Sequence, residues 1–123
     1  MSKHILFVCT TCASKWQDGK RIGESGGEKL LQEIIKLRKD WELRAEFDIQ
    51  PTECMSACGR SCTISFAAKD KYIYLFGDLP QEGVAPAILE CASQYYENSD
   101  GVVSWKERPE ALKKGIVARI PPL

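Results

Sequence analysis

Five of the six cysteines lie in two short clusters that are far apart in the 123-residue chain. Cys9 and Cys12 form the first cluster, and Cys54, Cys58 and Cys62 form the second. Thiolates are soft ligands for iron–sulfur clusters, zinc and copper(I), and cysteines two or three residues apart can reach one centre. If the clusters share a centre, the fold must bring both to the same end of one core. We therefore expect a metal or iron–sulfur site at that end.

The composition fits one folded domain over residues 1–123, because hydrophobic residues make up 44% of the chain. Lys+Arg and Asp+Glu balance at 17 each, which argues against nucleic-acid partners and a polybasic membrane patch. The apolar run of residues 5–8 is shorter than a signal-peptide core or a membrane span. We therefore expect a cytoplasmic protein, where clustered cysteines favour ligands or redox thiols over structural disulfides.

The apolar pattern predicts the order strand, helix, strand, strand, strand, helix. Ser25 and Glu28 form a capping box that opens the first helix, and Pro51 ends the second strand. Residues 10–24 are polar and predicted to be irregular. The predicted elements are strands at residues 3–9, 42–49, 63–68 and 71–76, helices at residues 25–39 and 81–97, and a C-terminal tail at residues 99–123 with one short helical turn.

This order predicts an α/β fold with a mixed four-stranded sheet and helices packed on it. The first two strands would be parallel with a right-handed crossover, and the last two would form an antiparallel hairpin. The same order matches a thioredoxin-like fold. In that arrangement the first cysteine cluster follows the first strand and the second enters the hairpin, so both can meet at one end of the sheet.

The second cluster resembles a known family. Residues 54–58 read Cys-Met-Ser-Ala-Cys, similar to the Cys-x-x-x-Cys segment of thioredoxin-like [2Fe-2S] ferredoxins. A narrower resemblance is to a bacterial family of uncharacterised, predicted metal-binding proteins related to those ferredoxins. It rests on Cys-Gly-Arg-Ser-Cys-Thr-Ile-Ser-Phe at residues 58–66 and Trp-Lys-Glu-Arg-Pro-Glu at residues 105–110, and it covers nearly the whole chain.

The resemblance implies a [2Fe-2S] cluster held by Cys9, Cys12, Cys54 and Cys58. A protein of this kind acts in electron transfer with a redox partner protein, or as a redox-responsive binding module. Thioredoxin-like ferredoxins often form homodimers, which the resemblance allows here. Cys62 falls where those ferredoxins usually carry proline, and it is interpreted as a near-site thiol, a substitute metal ligand or a buried residue.

Two other interpretations stay open. An all-sulfur tetrahedral site also suits Zn²⁺, which would give a metal-binding protein without a redox role. A Cys-x-x-Cys pair after a strand is also typical of thiol-redox proteins, although the helix cap at Ser25 comes well after Cys12. His4 and Cys91 are interpreted as structural. No pattern indicates a substrate site with a general base, so no catalytic residue and no enzyme activity are predicted.

Overall fold

The computed structural model describes residues 4–10, 15–23, 25–52, 62–80, 83–113 and 115–122. In these ranges, no helix is both long enough and apolar enough to cross a membrane. The elements are β1 His4–Cys9, β2 Lys15–Gln17, β3 Lys20–Ile22, α1 Gly26–Arg38, β4 Phe47–Thr52, β5 Ile64–Ala68, β6 Ile73–Phe76, α2 Ala85–Glu97, a 3-10 turn Glu110–Leu112, and β7 Ile116–Ile120.

The main sheet has the strand order β4-β1-β5-β6-β7, and β2 and β3 pair separately as a small hairpin. β1 runs parallel to β4 and antiparallel to β5, and the other two pairings in the main sheet are antiparallel. β1 is therefore flanked by a strand on each side. α1 packs on β1 and on α2, so both helices cover the sheet face that carries the buried residues Leu6, Val8 and Phe66.

The capping box predicted at the start of α1 is confirmed. The Glu28 N–H donates to Ser25 Oγ at 3.0 Å, and the Ser25 N–H donates to Glu28 Oε1 at 3.4 Å. These two bonds satisfy backbone donors that a helix start leaves without partners. Leu30 and Ile34, one turn apart on α1, are fully buried, as the apolar stripe of an amphipathic helix requires.

The prediction of four strands was wrong, because the main sheet has five. The added strand is β7, which lies in the predicted C-terminal tail and pairs with β6. This segment is short and stands next to prolines, so its pattern alone does not indicate a strand. The free edge of β6 supplies its backbone partners, and a bulge near Phe76 adjusts the register.

Two further segments differ from their predictions. The stretch predicted to be irregular contains the β2–β3 hairpin, whose Asp18 and Gly19 both have positive φ, 51° and 77°. An Asp-Gly pair with positive φ at both positions is a strong hairpin turn. Residues 42–46 form turns in place of the predicted strand. Arg38 Nη2 stabilises them by donating to the carbonyls of Arg44 at 2.8 Å and Phe47 at 3.0 Å.

Lys71 is buried at the end of the sheet opposite Cys9. Lys71 is 9% exposed and His4 is 6% exposed. The ammonium lies 2.8 Å from His4 Nε2 and donates to the carbonyls of Tyr95 and Tyr96, both at 3.0 Å. An ammonium can only donate, so His4 Nε2 accepts. Three donors thus have three acceptors, which ties the last turn of α2 to the start of β1.

Gly27, in the first turn of α1, lies directly against the end of β1. A Cβ built on Gly27 would stand 1.9 Å from the Cys9 carbonyl oxygen and 3.2 Å from the Thr10 carbonyl carbon. No side chain fits in that space. Glycine is therefore required here for the close approach of two backbones, and that approach sets the distance between α1 and the cysteine end of β1.

We expect Lys71→Met to lower the free energy of unfolding by about 2 kcal/mol or more, because two buried carbonyls and an imidazole lose their donor. Burial lowers the pKa of Lys71, partly opposed by Asp100, so the ammonium costs desolvation that its three bonds offset. Urea unfolding followed by circular dichroism measures the change. Lys69→Met, at an exposed position of the same hairpin, is the control and should change stability by less than about 0.5 kcal/mol. Equal effects of the two substitutions would contradict this role for Lys71.

We also expect Gly27→Ala to destabilise the protein, by about 1–3 kcal/mol, since the added Cβ forces α1 away from β1. An unconstrained Gly→Ala change inside a helix does the opposite and stabilises by up to about 1 kcal/mol. The sign of the change in urea midpoint therefore shows whether the close contact of Gly27 with Cys9 constrains α1. A midpoint that rises in Gly27→Ala would mean that the close contact with Cys9 does not constrain α1.

Candidate metal centre

Cys9 ends β1, and strands on both sides hold its backbone. The Cys9 N–H donates to the Thr63 carbonyl at 3.2 Å, and Cys9 is paired with Thr52 in the parallel register with β4. One residue later, the Thr10 N–H donates to the Thr52 carbonyl at 2.8 Å. The Cys9 side chain is 1% exposed. Backbone hydrogen bonds thus fix the position of Cys9 at the carboxyl end of β1.

Cys62 lies just before β5, and backbone hydrogen bonds fix its position as they fix that of Cys9. Its N–H donates to the Leu79 carbonyl at 3.1 Å, and its own carbonyl accepts from the Leu79 N–H at 3.2 Å. The side chain is also 1% exposed. Burial raises the pKa of the Cys62 thiol, and the electrostatic interaction with Cys9 raises it further. The structure therefore brings together Cys9 and Cys62, one residue from each cysteine cluster.

The N-terminus of α1 faces the same end of the sheet. Ser25 is fully buried, and its Oγ donates to the Thr10 carbonyl. With Gly27 packed on Cys9, the first turn of α1 lies against residues 9–10. Unpaired N–H groups give a helix N-terminus a partial positive charge that favours nearby anions, thiolates included. The first turn of α1 therefore partly offsets the burial that disfavours a thiolate at Cys62, with Glu28 as the opposing charge in that turn.

Three of the five predicted site residues, Cys12, Cys54 and Cys58, lie outside the described residues. Within the described ranges, no group of three or more His, Cys, Asp or Glu side chains is arranged to hold a metal ion. The predicted four-cysteine set thus remains a prediction. The structure describes one of the four predicted ligands, Cys9, and it also describes Cys62, the residue interpreted as a substitute ligand.

Cys91 lies apart from this end, on α2, with no exposed surface. Burial raises the pKa of its thiol to about 12, with the Arg108 guanidinium lowering it and Glu90 raising it. The placement agrees with its interpretation as a small buried residue. A thiol with this pKa stays protonated at neutral pH and is a poor nucleophile.

Arg108 gives a structural reason for part of the segment at residues 105–110, which carries the family resemblance. The guanidinium is buried, donates to the carbonyls of Val103 at 3.2 Å and Leu112 at 3.3 Å, and lies over the rings of Tyr74 and Phe76. It therefore fastens the C-terminal segment onto β6. Sequence reasoning missed this role and that of Gly27. The signal for Gly27 was available, since two glycines in a first turn disfavour the helix unless packing requires them.

Comparisons with known proteins agree with this architecture. A solved structure, a thioredoxin-like [2Fe-2S] ferredoxin from Aquifex aeolicus, superposes with a TM-score of 0.61 at 18% identity, covering 98% of this chain and 94% of that one. At this identity the likeness establishes the thioredoxin-like fold predicted from the sequence, an α/β sheet with helices packed on it. No curated protein sequence matches the chain. Residues 6–122 match the model of a family described as a protein of unknown function, DUF1636, and the chain belongs to that family.

Proposed function

We propose that this protein is a ferredoxin-like iron–sulfur protein that holds a [2Fe-2S] cluster through four of its five clustered cysteines. The observation that carries the proposal is that Cys9 and Cys62, two buried residues from distant parts of the chain, lie at one end of the sheet, where the Cys9 N–H bonds the residue next to Cys62. Soft sulfur donors in a buried, rigid pair fit an iron–sulfur cluster. The fold that the chain shares with a [2Fe-2S] ferredoxin also supports it.

Chain connectivity supports the participation of the other cysteines. Cys12 follows Thr10 by two residues and Cys54 follows Thr52 by two, so each Cα lies within about 7 Å of a described residue next to Cys9. Cys58 precedes Cys62 by four residues, which limits that separation to about 14 Å. All five thiols are therefore within reach of the carboxyl end of β1.

A bound [2Fe-2S] cluster would supply one-electron transfer at this end of the sheet. The residues of this chain would set its environment. Cys9 and Cys62 would exclude water from their side, since each is 1% exposed. The first turn of α1 would favour the negative charge of the sulfur ligands. The role would then be electron transfer with a partner protein, or redox-responsive binding.

Anaerobic purification followed by an absorption spectrum and iron, sulfide and zinc analysis of one sample tests the proposal. We expect visible absorption with about two iron and two sulfide per chain. A colourless protein with about one zinc per chain would replace the proposal by a zinc site. Absence of both metals, with reactive thiols, would favour thiol-redox chemistry.

Single substitutions test the ligands. We expect Cys54→Ser and Cys58→Ser to abolish cluster binding, because each removes a thiolate that serine replaces poorly for soft metals. Cys91→Ser should keep the wild-type iron content, since Cys91 lies on α2 away from the site. A full cluster in Cys58→Ser would contradict the assignment of the Cys-x-x-x-Cys segment as a ligand segment.

The burial of Cys91 gives a further expectation for the metal-free protein. With its pKa raised to about 12, this thiol should resist iodoacetamide at pH 8 while the protein is folded, and react after denaturation in urea. Peptide mass spectrometry of alkylated samples measures this. Because the folded pKa exceeds the unfolded value, Cys91 also contributes stability that is lost as the pH rises from about 9 to about 12. Rapid alkylation of Cys91 in the folded protein would refute this burial.

A further inference from the structure

An open pocket lies beside the last turn of α1, at the end of the helix that is away from Cys9. Its volume is about 410 Å³, which is in the range of small-molecule sites. About 18 Å of helix separates it from the turn that packs on Cys9, so it is distinct from the candidate metal centre. Among the described residues, three cationic and two apolar side chains line the pocket: Ile35, Arg38, Lys39, Arg44 and Ala45.

Hydrogen bonds hold the cationic rim of this pocket in place. Arg38 Nη2 donates to the carbonyls of Arg44 and Phe47, and Arg44 Nη1 donates to the Trp41 carbonyl at 3.0 Å. Trp41 Nε1 in turn donates to Ser93 Oγ on α2 at 3.0 Å. The rim is therefore tied to α1, β4 and α2, and its two guanidiniums need little reordering to meet a ligand.

The two guanidiniums keep donors that the protein does not use. A guanidinium has N–H donors on each of its nitrogens, and these bonds use only Nη2 of Arg38 and Nη1 of Arg44. Arg38 Nε is buried and has no hydrogen-bond partner among the described residues, which is uncommon for a buried donor. In the same ranges no carboxylate forms an ion pair with Arg38, Lys39 or Arg44. The pocket therefore offers positive charge and free donors together.

The end of α1 opposes an anion only in part. The last carbonyls of a helix carry a partial negative charge of about half an electron. Here the N–H groups of Asp40 and Trp41 donate to the carbonyls of Leu37 and Arg38, at 3.2 and 3.0 Å. No Asp or Glu is among the described residues that line the pocket. Three cationic side chains outweigh the helix end, so the net charge of the pocket is positive.

Ile35 gives the pocket an apolar surface. It is 47% exposed although it is a large aliphatic side chain, and the exposed Ala45 lies in the same lining. A ligand that covered Ile35 would remove apolar surface from water, which favours binding. An inorganic anion has no group that could do so. The lining therefore suits a molecule with both a charged head and an apolar body.

We propose that this pocket binds a small organic oxyanion, a carboxylate or phosphate group attached to an apolar body. Arg38 and Arg44 donate to the head group, Lys39 adds positive charge beside them, and the apolar body covers Ile35. Planar guanidiniums bind carboxylate and phosphate through paired N–H···O bonds, so the two arginines also orient the head group. This inference goes beyond the proposed function and does not depend on a bound metal.

Phenyl phosphate and phenylacetate are the probes, and inorganic phosphate is the comparison without an apolar body. Isothermal titration calorimetry of the full chain measures the affinity, and amide shifts in ¹⁵N NMR spectra locate the site. We expect one site per chain, with shifts concentrated in residues 35–45. The better organic probe should bind at least about threefold more tightly than inorganic phosphate, because it covers Ile35. Whichever probe binds more tightly identifies the head group.

Single substitutions with a matched control test the cationic side chains. Lys39→Gln and Arg44→Gln each remove one charge at an exposed position, and each should weaken the better probe by about fivefold or more. Lys36→Gln removes an exposed lysine of the same helix that is not in the lining, and it should keep the wild-type affinity. Circular dichroism and urea unfolding check that each variant folds. If Arg44→Gln unfolds, because Arg44 also bonds Trp41, Lys39→Gln still decides the test.

Three results would overturn the inference. Neither organic probe gives heat or amide shifts at about 10 mM, a concentration at which even a weak site is occupied. The probes bind, but Lys39→Gln and Arg44→Gln keep the affinity of Lys36→Gln, which would place the binding elsewhere. Inorganic phosphate binds as tightly as both organic probes, which would remove the role of Ile35.

Discussion

The position of β1 between a parallel and an antiparallel neighbour is the constraint on which the site depends. Because β4 is parallel to β1, it ends beside Cys9, and because β5 is antiparallel, it begins there. Cys9 and Cys62, one residue from each cysteine cluster, are therefore brought to this end of the sheet by strand pairing alone.

Two buried cations, Lys71 and Arg108, stabilise the positions of α2 and of the C-terminal segment. Lys71 bonds the last turn of α2 to His4 at the start of β1. Arg108 bonds the segment before β7 and lies over the aromatic rings of β6. Both use backbone carbonyls and ring faces as partners. Buried charges of this kind are costly to leave without partners, so they favour one arrangement of the helix and the C-terminal segment.

Local signals predicted much of the fold. The apolar run of β1, the capping box at Ser25 and the stripe of α2 depend on neighbouring residues, and the observed elements lie within a few residues of the predicted ones. The contact between His4 and Lys71 joins positions 67 residues apart, and no local pattern encodes it. β7 forms because the edge of β6 has backbone N–H and C=O groups available for antiparallel pairing. Alternation over residues 42–46 resembled a strand, but turn bonds and Arg38 satisfy that backbone instead.

Sulfur ligation at the candidate site stays a prediction from cysteine spacing, which indicates it because the needed residues are close in sequence. The partnership of Cys9 with Cys62 depends on the register between β1 and β5, which sequence spacing does not encode. The Cys-x-x-x-Cys pair and the first cluster already supply the four thiols that a [2Fe-2S] cluster needs. Cys62, the fifth clustered cysteine, is therefore interpreted only as a substitute ligand, a near-site thiol or a buried residue.

The pairing of Thr52 and Cys62 beside Cys9 also bears on how metal loading relates to folding. In many small metalloproteins the metal closes a long loop, and the loop-closure entropy makes folding depend on the metal. Here the strands close the segment 53–61 before any metal binds, because both of its ends are held in the sheet. If a metal binds at this end of the sheet, its loading and loss therefore require no global unfolding of the chain.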